Sequence, residues 1–190
     1  MQDQETNVWK QFIEGDENAF AVLFEQASDK LYRYGMKFTV DEETVKDCIQ
    51  DLFIKLYKNR NSLPGLENPL FYLFRSLKNL LIDALQQKER IVYLSPQEIP
   101  FHVKFIYDNQ EEDSDDDIKE KFEEVVNMLS DRQKEAIYLR FQADMSYEEI
   151  SEILGINYQS VRNLIHRSVE KIRSIISNDL LILLFISMLA

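Results

Sequence analysis

Five side chains on one predicted helix face could read the edges of nucleic-acid bases: Gln159, Arg162, Asn163, His166 and Arg167. A guanidinium donates two hydrogen bonds at once to a guanine edge or a phosphate, and a carboxamide pairs twice with an adenine edge. Apolar residues recur at helical spacing on the opposite face, from Val161 to Ile172. The pattern therefore predicts an amphipathic helix that packs by one face and offers hydrogen-bonding groups on the other.

Local signals place this helix in a helix-turn-helix. Two stretches fit the capping box, in which two side chains satisfy free N–H groups at a helix start: Ser130-x-x-Gln133 and Ser146-x-x-Glu149. Gly155 is suited to end one helix, and Asn157 is suited to cap the next. In such an arrangement the second helix can enter the major groove of DNA. An ordinary helical hairpin with a solvated polar face is the alternative that the pattern leaves open.

Composition predicts an all-α protein without internal disulfides. Of 190 residues 45% are hydrophobic, enough for one moderate core or two small ones, and glycine and proline number only 4 each. The single cysteine, Cys48, excludes an internal disulfide and lies on an apolar helical stripe, where we expect it to be buried rather than reactive. The acidic, polar start of the chain predicts a cytoplasmic protein.

The formal net charge of -12 is unexpected for a protein that binds DNA. Half of the acidic excess lies in residues 88–117, which hold 3 Lys+Arg against 9 Asp+Glu, whereas the helix at 158–176 is locally basic. A basic face binds phosphates even on an acidic molecule, but the overall charge lowers non-specific affinity. The sequence therefore predicts a protein that binds DNA poorly by itself.

Further helices are predicted upstream. Residues 7–35 form one or two amphipathic helices with a break at Gly15-Asp16, residues 41–58 form a stronger one, and 59–69 form a loop. The helix at about 70–87 carries aromatic residues beside cations and an amide, which suit either a stacking platform for single-stranded bases or a packed core. Residues 88–117 lack periodicity and read as an acidic linker. Its acidic run lacks the glycine and final carboxylate of a calcium loop, so no metal site is predicted there.

The order of these parts resembles the extracytoplasmic-function (ECF) sigma factors, small bacterial initiation factors with only the second and fourth sigma regions. The first half carries the motifs Asp47-x-x-Gln50-Asp51-x-Phe53 and Tyr72-Leu73-Phe74-x-x-x-x-Asn79-x-x-x-Asp83. These residue patterns are similar to those of family members from Bacteroidetes. The second half carries Leu129-Ser-x-Arg-Gln133, Tyr147-x-Glu149-Ile150, Leu154-Gly155, Val161 and Arg167. The resemblance covers residues 7–178. It departs from the usual pattern at Tyr72, where many members have tryptophan.

The resemblance implies a domain order: a region 2-like bundle at 1–87, an acidic linker at 88–117, a region 4-like helix-turn-helix domain at 118–178 and an apolar tail at 179–190. It also implies three sets of site residues. Docking on core RNA polymerase is expected of Asp47, Gln50 and Asp51. Recognition and melting of the minus-ten element are expected of Asn61, Ser62, Tyr72, Arg75, Lys78, Asn79 and Asp83. Reading of the minus-thirty-five element is expected of Gln159, Ser160, Arg162, Asn163, His166 and Arg167.

The expected partners are core RNA polymerase, promoter DNA and an anti-sigma factor that could hold the protein at the inner membrane; no cofactor or catalytic activity is expected. A stand-alone helix-turn-helix regulator is the alternative, although no receiver-like α/β pattern precedes the motif. A metal enzyme on a helical scaffold is disfavoured because His102 and His166 lie in different segments.

The apolar run Leu180–Ala190 is too short to cross a bilayer as a helix, so it packs on the protein itself, on a partner or shallowly on a membrane. Self-packing is favoured, since such a run is an association liability when exposed.

Overall fold

The computed structural model describes residues 2–89, 100–103 and 124–175. All regular structure in these ranges is helical, and the chain divides into two compact units, Met1–Leu94 and Ser95–Ala190. The prediction of an all-α chain with two helical domains is confirmed. The acidic run at 108–117 and the apolar tail at 180–190 lie outside the described residues.

Over residues 2–89, unit 1 is a bundle of four α-helices with a short 3-10 turn at Arg60–Ser62. The helices are α1 (Gln2–Ile13), α2 (Glu17–Gly35), α3 (Glu42–Lys58) and α4 (Pro69–Glu89). The predicted break at Gly15-Asp16 is confirmed: Gly15 has φ of 107°, and the Asp16 carboxylate accepts from the Asn18 N–H at 2.8 Å. A positive φ favours glycine, and a carboxylate is a good N-cap, so these two residues end α1 and start α2.

Helix α1 supports the loop between α3 and α4. The Trp9 indole is buried and its Nε1 donates to the Pro64 carbonyl at 3.0 Å. The Thr6 hydroxyl donates to the Glu67 carbonyl at 2.7 Å, and the rings of Trp9 and Tyr72 lie 5.8 Å apart. Because indole and hydroxyl donors satisfy two loop carbonyls, the loop is held in one place beside the start of α4.

An ion pair joins the start of α3 to the end of α4. The Asp41 carboxylate caps α3 by accepting from the Thr44 N–H at 3.2 Å, and it also pairs with the Lys88 ammonium. The hydrogen bond from Lys88, together with those from Thr44, lowers the pKa of Asp41 to about 2. The carboxylate is ionised at neutral pH and links the start of α3 to the end of α4, the two helices that carry most of the predicted site residues of unit 1.

Gly35 lets three helices of unit 1 approach closely. A Cβ at this position would lie 2.6 Å from Val45 Cγ1 and 3.6 Å from Leu81 Cδ1. We predict that Gly35→Ala lowers the free energy of unfolding by about 1–2 kcal/mol, because overpacking outweighs the gain in helix propensity. Urea unfolding measures the change.

Two comparisons separate overpacking at Gly35 from a general intolerance of alanine. Gly65→Ala should be nearly neutral, because nothing lies within 4 Å of the Cβ position at Gly65. The double variant Gly35→Ala/Val45→Ala should lose less stability than the sum of the two single changes, since the smaller residue removes the clash. Equal losses for Gly35→Ala and Gly65→Ala would argue against a close contact at Gly35.

Among its described residues, 100–103 and 124–175, unit 2 contains a helical segment at 124–128 and three further helices. These are α5 (Asp131–Phe141), α6 (Tyr147–Leu154) and α7 (Tyr158–Ile175). Phe101 lies inside the predicted linker, yet its ring is only 1% exposed and contacts Tyr138 at 5.8 Å between centroids. Residues 100–103 therefore contribute to the core of unit 2, and the division between the units at Leu94 and Ser95 falls early in the predicted linker.

No helix in the described ranges combines the length and apolar character needed to cross a membrane.

Candidate nucleic-acid and polymerase interfaces

Both predicted capping boxes are present at the helix starts of unit 2. The Gln133 N–H donates to Ser130 Oγ at 3.3 Å, and the Ser130 N–H donates to Gln133 Oε1 at 3.1 Å. The same reciprocal pair joins Ser146 and Glu149 at 3.2 and 2.8 Å. These boxes satisfy otherwise free donors and fix where α5 and α6 begin.

The turn between α6 and α7 has the predicted chemistry. Gly155 takes the left-handed conformation with φ of 62° and ψ of 37°, and its N–H donates to the Ser151 carbonyl. Asn157 Oδ1 accepts from the Ser160 N–H at 2.8 Å, which confirms Asn157 as the cap of α7. A glycine that ends one helix and an amide that caps the next fix a sharp change of direction.

Two long cationic side chains tie the helices of unit 2 together. Arg132 on α5 donates to the last carbonyl of α6, that of Leu154, at 2.7 Å. Lys171 on α7 donates to Gln133 Oε1 at 3.1 Å and to the Met128 carbonyl at 3.0 Å. Carbonyls at helix ends need donors, so these contacts orient α6 against α5 and α7 against α5 and the segment that ends at Met128.

Helix α7 presents the predicted DNA-reading side chains to solvent. Gln159, Arg162, Asn163, His166 and Arg167 are exposed and Ser160 is half-buried. Val161, Ile165 and Ile172 are buried on the other face. Gln159 Nε2 donates to Asn163 Oδ1 at 3.2 Å, which orders two amides one turn apart. Two guanidiniums and two amides on one exposed face can contact base edges and phosphates along a groove.

In unit 1, a pocket of about 280 Å³ lies between α3 and α4. It brings together three of the predicted minus-ten residues: Tyr72, Asn79 and Asp83. Three polar residues that the sequence analysis did not select also line it: Lys55, Asn59 and Ser76. The pocket can hold a single base. The aromatic ring can stack on it, and the polar groups can hydrogen-bond to it: two amides, a carboxylate, a hydroxyl and an ammonium.

The other four predicted minus-ten residues lie outside the lining of this pocket. Asn61 and Ser62 are exposed in the 3-10 turn, where Ser62 Oγ donates to the Asn59 carbonyl at 2.8 Å. Arg75 is exposed on α4. Lys78 is only 4% exposed, and its ammonium lies 5.9 Å from the centre of the Phe38 ring. The burial of Lys78 indicates a role in packing rather than direct contact with DNA.

The predicted polymerase-binding residues share one side of α3. Asp47, Gln50 and Asp51 are exposed, while Cys48 between them is buried. Burial raises the pKa of the Cys48 thiol to about 11, and the nearby carboxylates of Asp51 and Asp47 add to this. The prediction that Cys48 is buried is confirmed, and a raised pKa favours the protonated thiol over the nucleophilic thiolate.

An apolar groove that the sequence analysis missed runs between α2 and α3, with a volume of about 770 Å³. Its apolar lining is Phe20, Phe24, Tyr32, Ile49, Phe53, Ile54 and Tyr57, and Gln50 lies on its wall. Phe24, Ile54 and Tyr57 are 45%, 41% and 40% exposed. The sequence already contained this pattern. Ile54 and Tyr57 come four and seven positions after Gln50, so all three side chains lie on the same side of α3. An exposed apolar patch beside an acidic face is typical of a protein-binding surface.

Comparison with known proteins agrees with this arrangement. Residues 23–91 match the family Sigma-70 region 2, and residues 119–172 match the family Sigma-70, region 4. The first match contains the pocket and the acidic side of α3, and the second contains the helix-turn-helix. Together the two matches cover more than half of the chain.

Whole-length relatives give the same result. The chain is 27% identical over 172 residues to the ECF RNA polymerase sigma factor SigW of Bacillus subtilis, covering 86% of this chain and 92% of that protein. It is 26% identical over 142 residues to the RNA polymerase sigma factor SigV of the same organism, covering 75% and 81%.

Solved structures share the fold. The sigma factor RpoE, in complex with the anti-sigma factor NepR from Bartonella quintana, superposes with a TM-score of 0.58 at 21% identity, covering 84% of this chain and 98% of that one. CnrH, in complex with the cytosolic domain of CnrY, gives 0.58 at 19% identity, covering 92% and 98%. The chain is an ECF RNA polymerase sigma factor of the sigma-70 family, which directs promoter-specific transcription initiation through a region 2 and a region 4.

Proposed function

We propose that unit 1 holds the non-template strand of the minus-ten element, and that the pocket between α3 and α4 receives one of its bases. The observation that carries this proposal is the convergence of Tyr72, Asn79 and Asp83 on one pocket. Flipping a base out of a duplex costs a few kcal/mol. Stacking on an aromatic ring contributes about 1–3 kcal/mol, and hydrogen bonds from the pocket contribute the rest.

The remaining minus-ten residues take different roles in this proposal. Arg75 lies one turn before Asn79 and is exposed, so it suits a phosphate next to the pocket. Asn61 and Ser62 lie on the exposed 3-10 turn that follows Asn59, a pocket residue, and they suit the neighbouring nucleotide. Lys78 stabilises the loop at Phe38 by a cation–π contact and is removed from the set of direct contacts.

We further propose that the clamp helices of the polymerase largest subunit dock on the side of α3 that carries Asp47, Gln50 and Asp51. The two carboxylates suit a basic partner surface, and the adjoining apolar groove suits the apolar ridge of a helix. A docking face with both features has a polar rim and an apolar centre.

An anti-sigma factor is the proposed regulator. The two solved relatives were both captured in complexes, RpoE with an anti-sigma factor and CnrH with a cytosolic domain of CnrY. In the proposal an anti-sigma factor covers the docking face of this chain and holds the protein at the inner membrane until a signal releases it. We also propose that the motifs are of the Bacteroidetes type, although the two sigma factors matched above over most of their length, SigW and SigV, come from Bacillus subtilis.

The pocket is tested by selecting single-stranded DNA from a random pool with the chain bound to core polymerase. The wild type should retain a short consensus. Asn79→Ala should lose the preference at one position of that consensus, because the amide no longer pairs with the base. Asn163→Ala is the matched control in unit 2 and should leave the single-stranded consensus unchanged. An unchanged consensus with Asn79→Ala would contradict the pocket assignment.

For the upstream element we predict that Arg162→Ala weakens binding of duplex promoter by roughly 1–3 kcal/mol if the guanidinium pairs with a base edge. The loss should concentrate at one base pair. Uniform weakening with a smaller salt slope would instead mean a phosphate contact. Titration of the polymerase-bound chain against wild-type and substituted duplexes measures both quantities.

Arg173→Ala is the matched control for Arg162→Ala. Arg173 is exposed on the same helix and pairs with Glu170 at 3.6 Å, but it lies outside the predicted reading set. If both arginine variants weakened binding equally and without base preference, α7 would contribute only charge.

A further inference from the structure

Three side chains from three elements meet beside the start of α7, and we call them the tyrosine bracket: Arg140, Tyr147 and Tyr158. The rings of Tyr147 and Tyr158 contact edge to face, with centroids 5.9 Å apart and an interplanar angle of 75°. The Arg140 guanidinium lies 5.3 Å from the centre of the Tyr147 ring, and its Nη1 donates to the Met145 carbonyl at 2.8 Å. The end of α5 therefore fixes Tyr147, and Tyr147 fixes Tyr158.

Tyr158 lies at the edge of the proposed DNA-reading face rather than in the core. It is the first residue of α7 and precedes Arg162 by four positions, which places the two side chains on the same side of the helix. Its side chain keeps an exposed fraction of 41% in spite of the ring contact, whereas Val161 and Ile165 behind it are buried. The ring is thus anchored on one side and open on the other.

We propose that Tyr158 is a positioning residue that donates its phenol hydrogen bond to a DNA backbone phosphate flanking the upstream element. This inference rests on the proposed role of α7 in reading that element. The contact with Tyr147 uses only the two rings, and Tyr158 is exposed one turn before Arg162, so its phenol group can reach a ligand on that side of α7. Tyrosine side chains are among the donors that contact phosphates and set the register of a protein on the duplex.

The other two members of the bracket hold Tyr158 in place. In a helix-turn-helix the first helix crosses the DNA backbone and the second enters the groove by its N-terminal residues. Tyr147 is the first residue of the first of these helices, and Tyr158 is the first residue of the second. The contact between the two rings therefore lies where both helices approach the DNA backbone. Arg140 acts through Tyr147 by the cation–π contact.

The test uses the full chain bound to core polymerase and two duplexes, one with the upstream element and one with that element scrambled. Tyr158→Phe keeps the ring contact and removes only the hydroxyl. It should weaken both duplexes by the same factor, about 10-fold or more, as expected for one hydrogen bond to a charged group. The slope of affinity against salt should not change, because a neutral donor releases no counterion. Phe141→Ala, an exposed aromatic residue 43% accessible at the end of α5, is the control and should have no effect.

Two outcomes would overturn the inference. Unchanged affinity with Tyr158→Phe would show that the hydroxyl makes no contact with DNA. A loss confined to the duplex with the intact element would show that Tyr158 reads a base. Arg162→Ala, measured in parallel, separates this inference from the function on which it rests: if Arg162→Ala also leaves upstream binding unchanged, the role of α7 itself is wrong.

Discussion

Asp51→Arg is expected to remove stable binding to core RNA polymerase. The substitution replaces Asp51, one of the two carboxylates of the proposed docking face, by a guanidinium that would meet the basic surface proposed as their partner. Like charges placed against each other at an interface cost several kcal/mol. A cost of about 3 kcal/mol or more raises Kd over 100-fold. Fluorescence anisotropy of the labelled chain titrated with core polymerase measures the change.

The control for Asp51→Arg is Glu25→Arg, which changes the net charge equally. Glu25 is exposed on α2 and does not line the apolar groove. Glu25→Arg should bind polymerase like the wild type, and both variants should keep their helical circular dichroism. Wild-type affinity with Asp51→Arg would show that the polymerase docks elsewhere.

Phe101→Ala is expected to destabilise unit 2 by about 3–5 kcal/mol, the usual range for removing a buried phenylalanine ring. Phe101 is almost completely buried against Tyr138. The single tryptophan of the chain, Trp9, lies in unit 1, so its fluorescence follows unit 1 alone. Urea unfolding followed by circular dichroism should therefore show an early transition that Trp9 fluorescence does not report.

His102→Ala is the matched control, because His102 is the exposed neighbour of Phe101. It should unfold like the wild type. A normal unfolding curve for Phe101→Ala would mean that residues 100–103 are not part of the core of unit 2 and that the linker extends through them, as the sequence alone indicated.

The sequence predicted the elements whose signals are local. Capping boxes, the glycine turn and the 3.6-residue period of α3 and α7 depend on neighbours within one or two turns, so they were visible without tertiary structure. The exposed face of α7 followed from the same period. These signals were sufficient for the helix-turn-helix and for the acidic side of α3.

Other features could not be predicted from the sequence. They depend on contacts between residues that are far apart in the chain, or on where a residue lies on its helix rather than on its type. Lys78 was included in the minus-ten set because the family resemblance implied it, yet it lies four residues after Phe74 and four before Ile82, on the buried stripe of α4. Phe101 is a single apolar residue in a stretch without periodicity, so nothing local predicted its burial. The groove between α2 and α3 needs both helices in place before its apolar lining becomes one surface.

One measurement tests the central claim most directly. The chain is added to core RNA polymerase with a library of randomised promoters, and the transcripts are sequenced. The account predicts transcripts that depend on the added chain and start downstream of a shared pair of elements, with Asn79→Ala altering only the downstream element and Arg162→Ala only the upstream one. Transcripts without a shared pair of elements, or DNA binding by the chain alone without any transcripts, would contradict it.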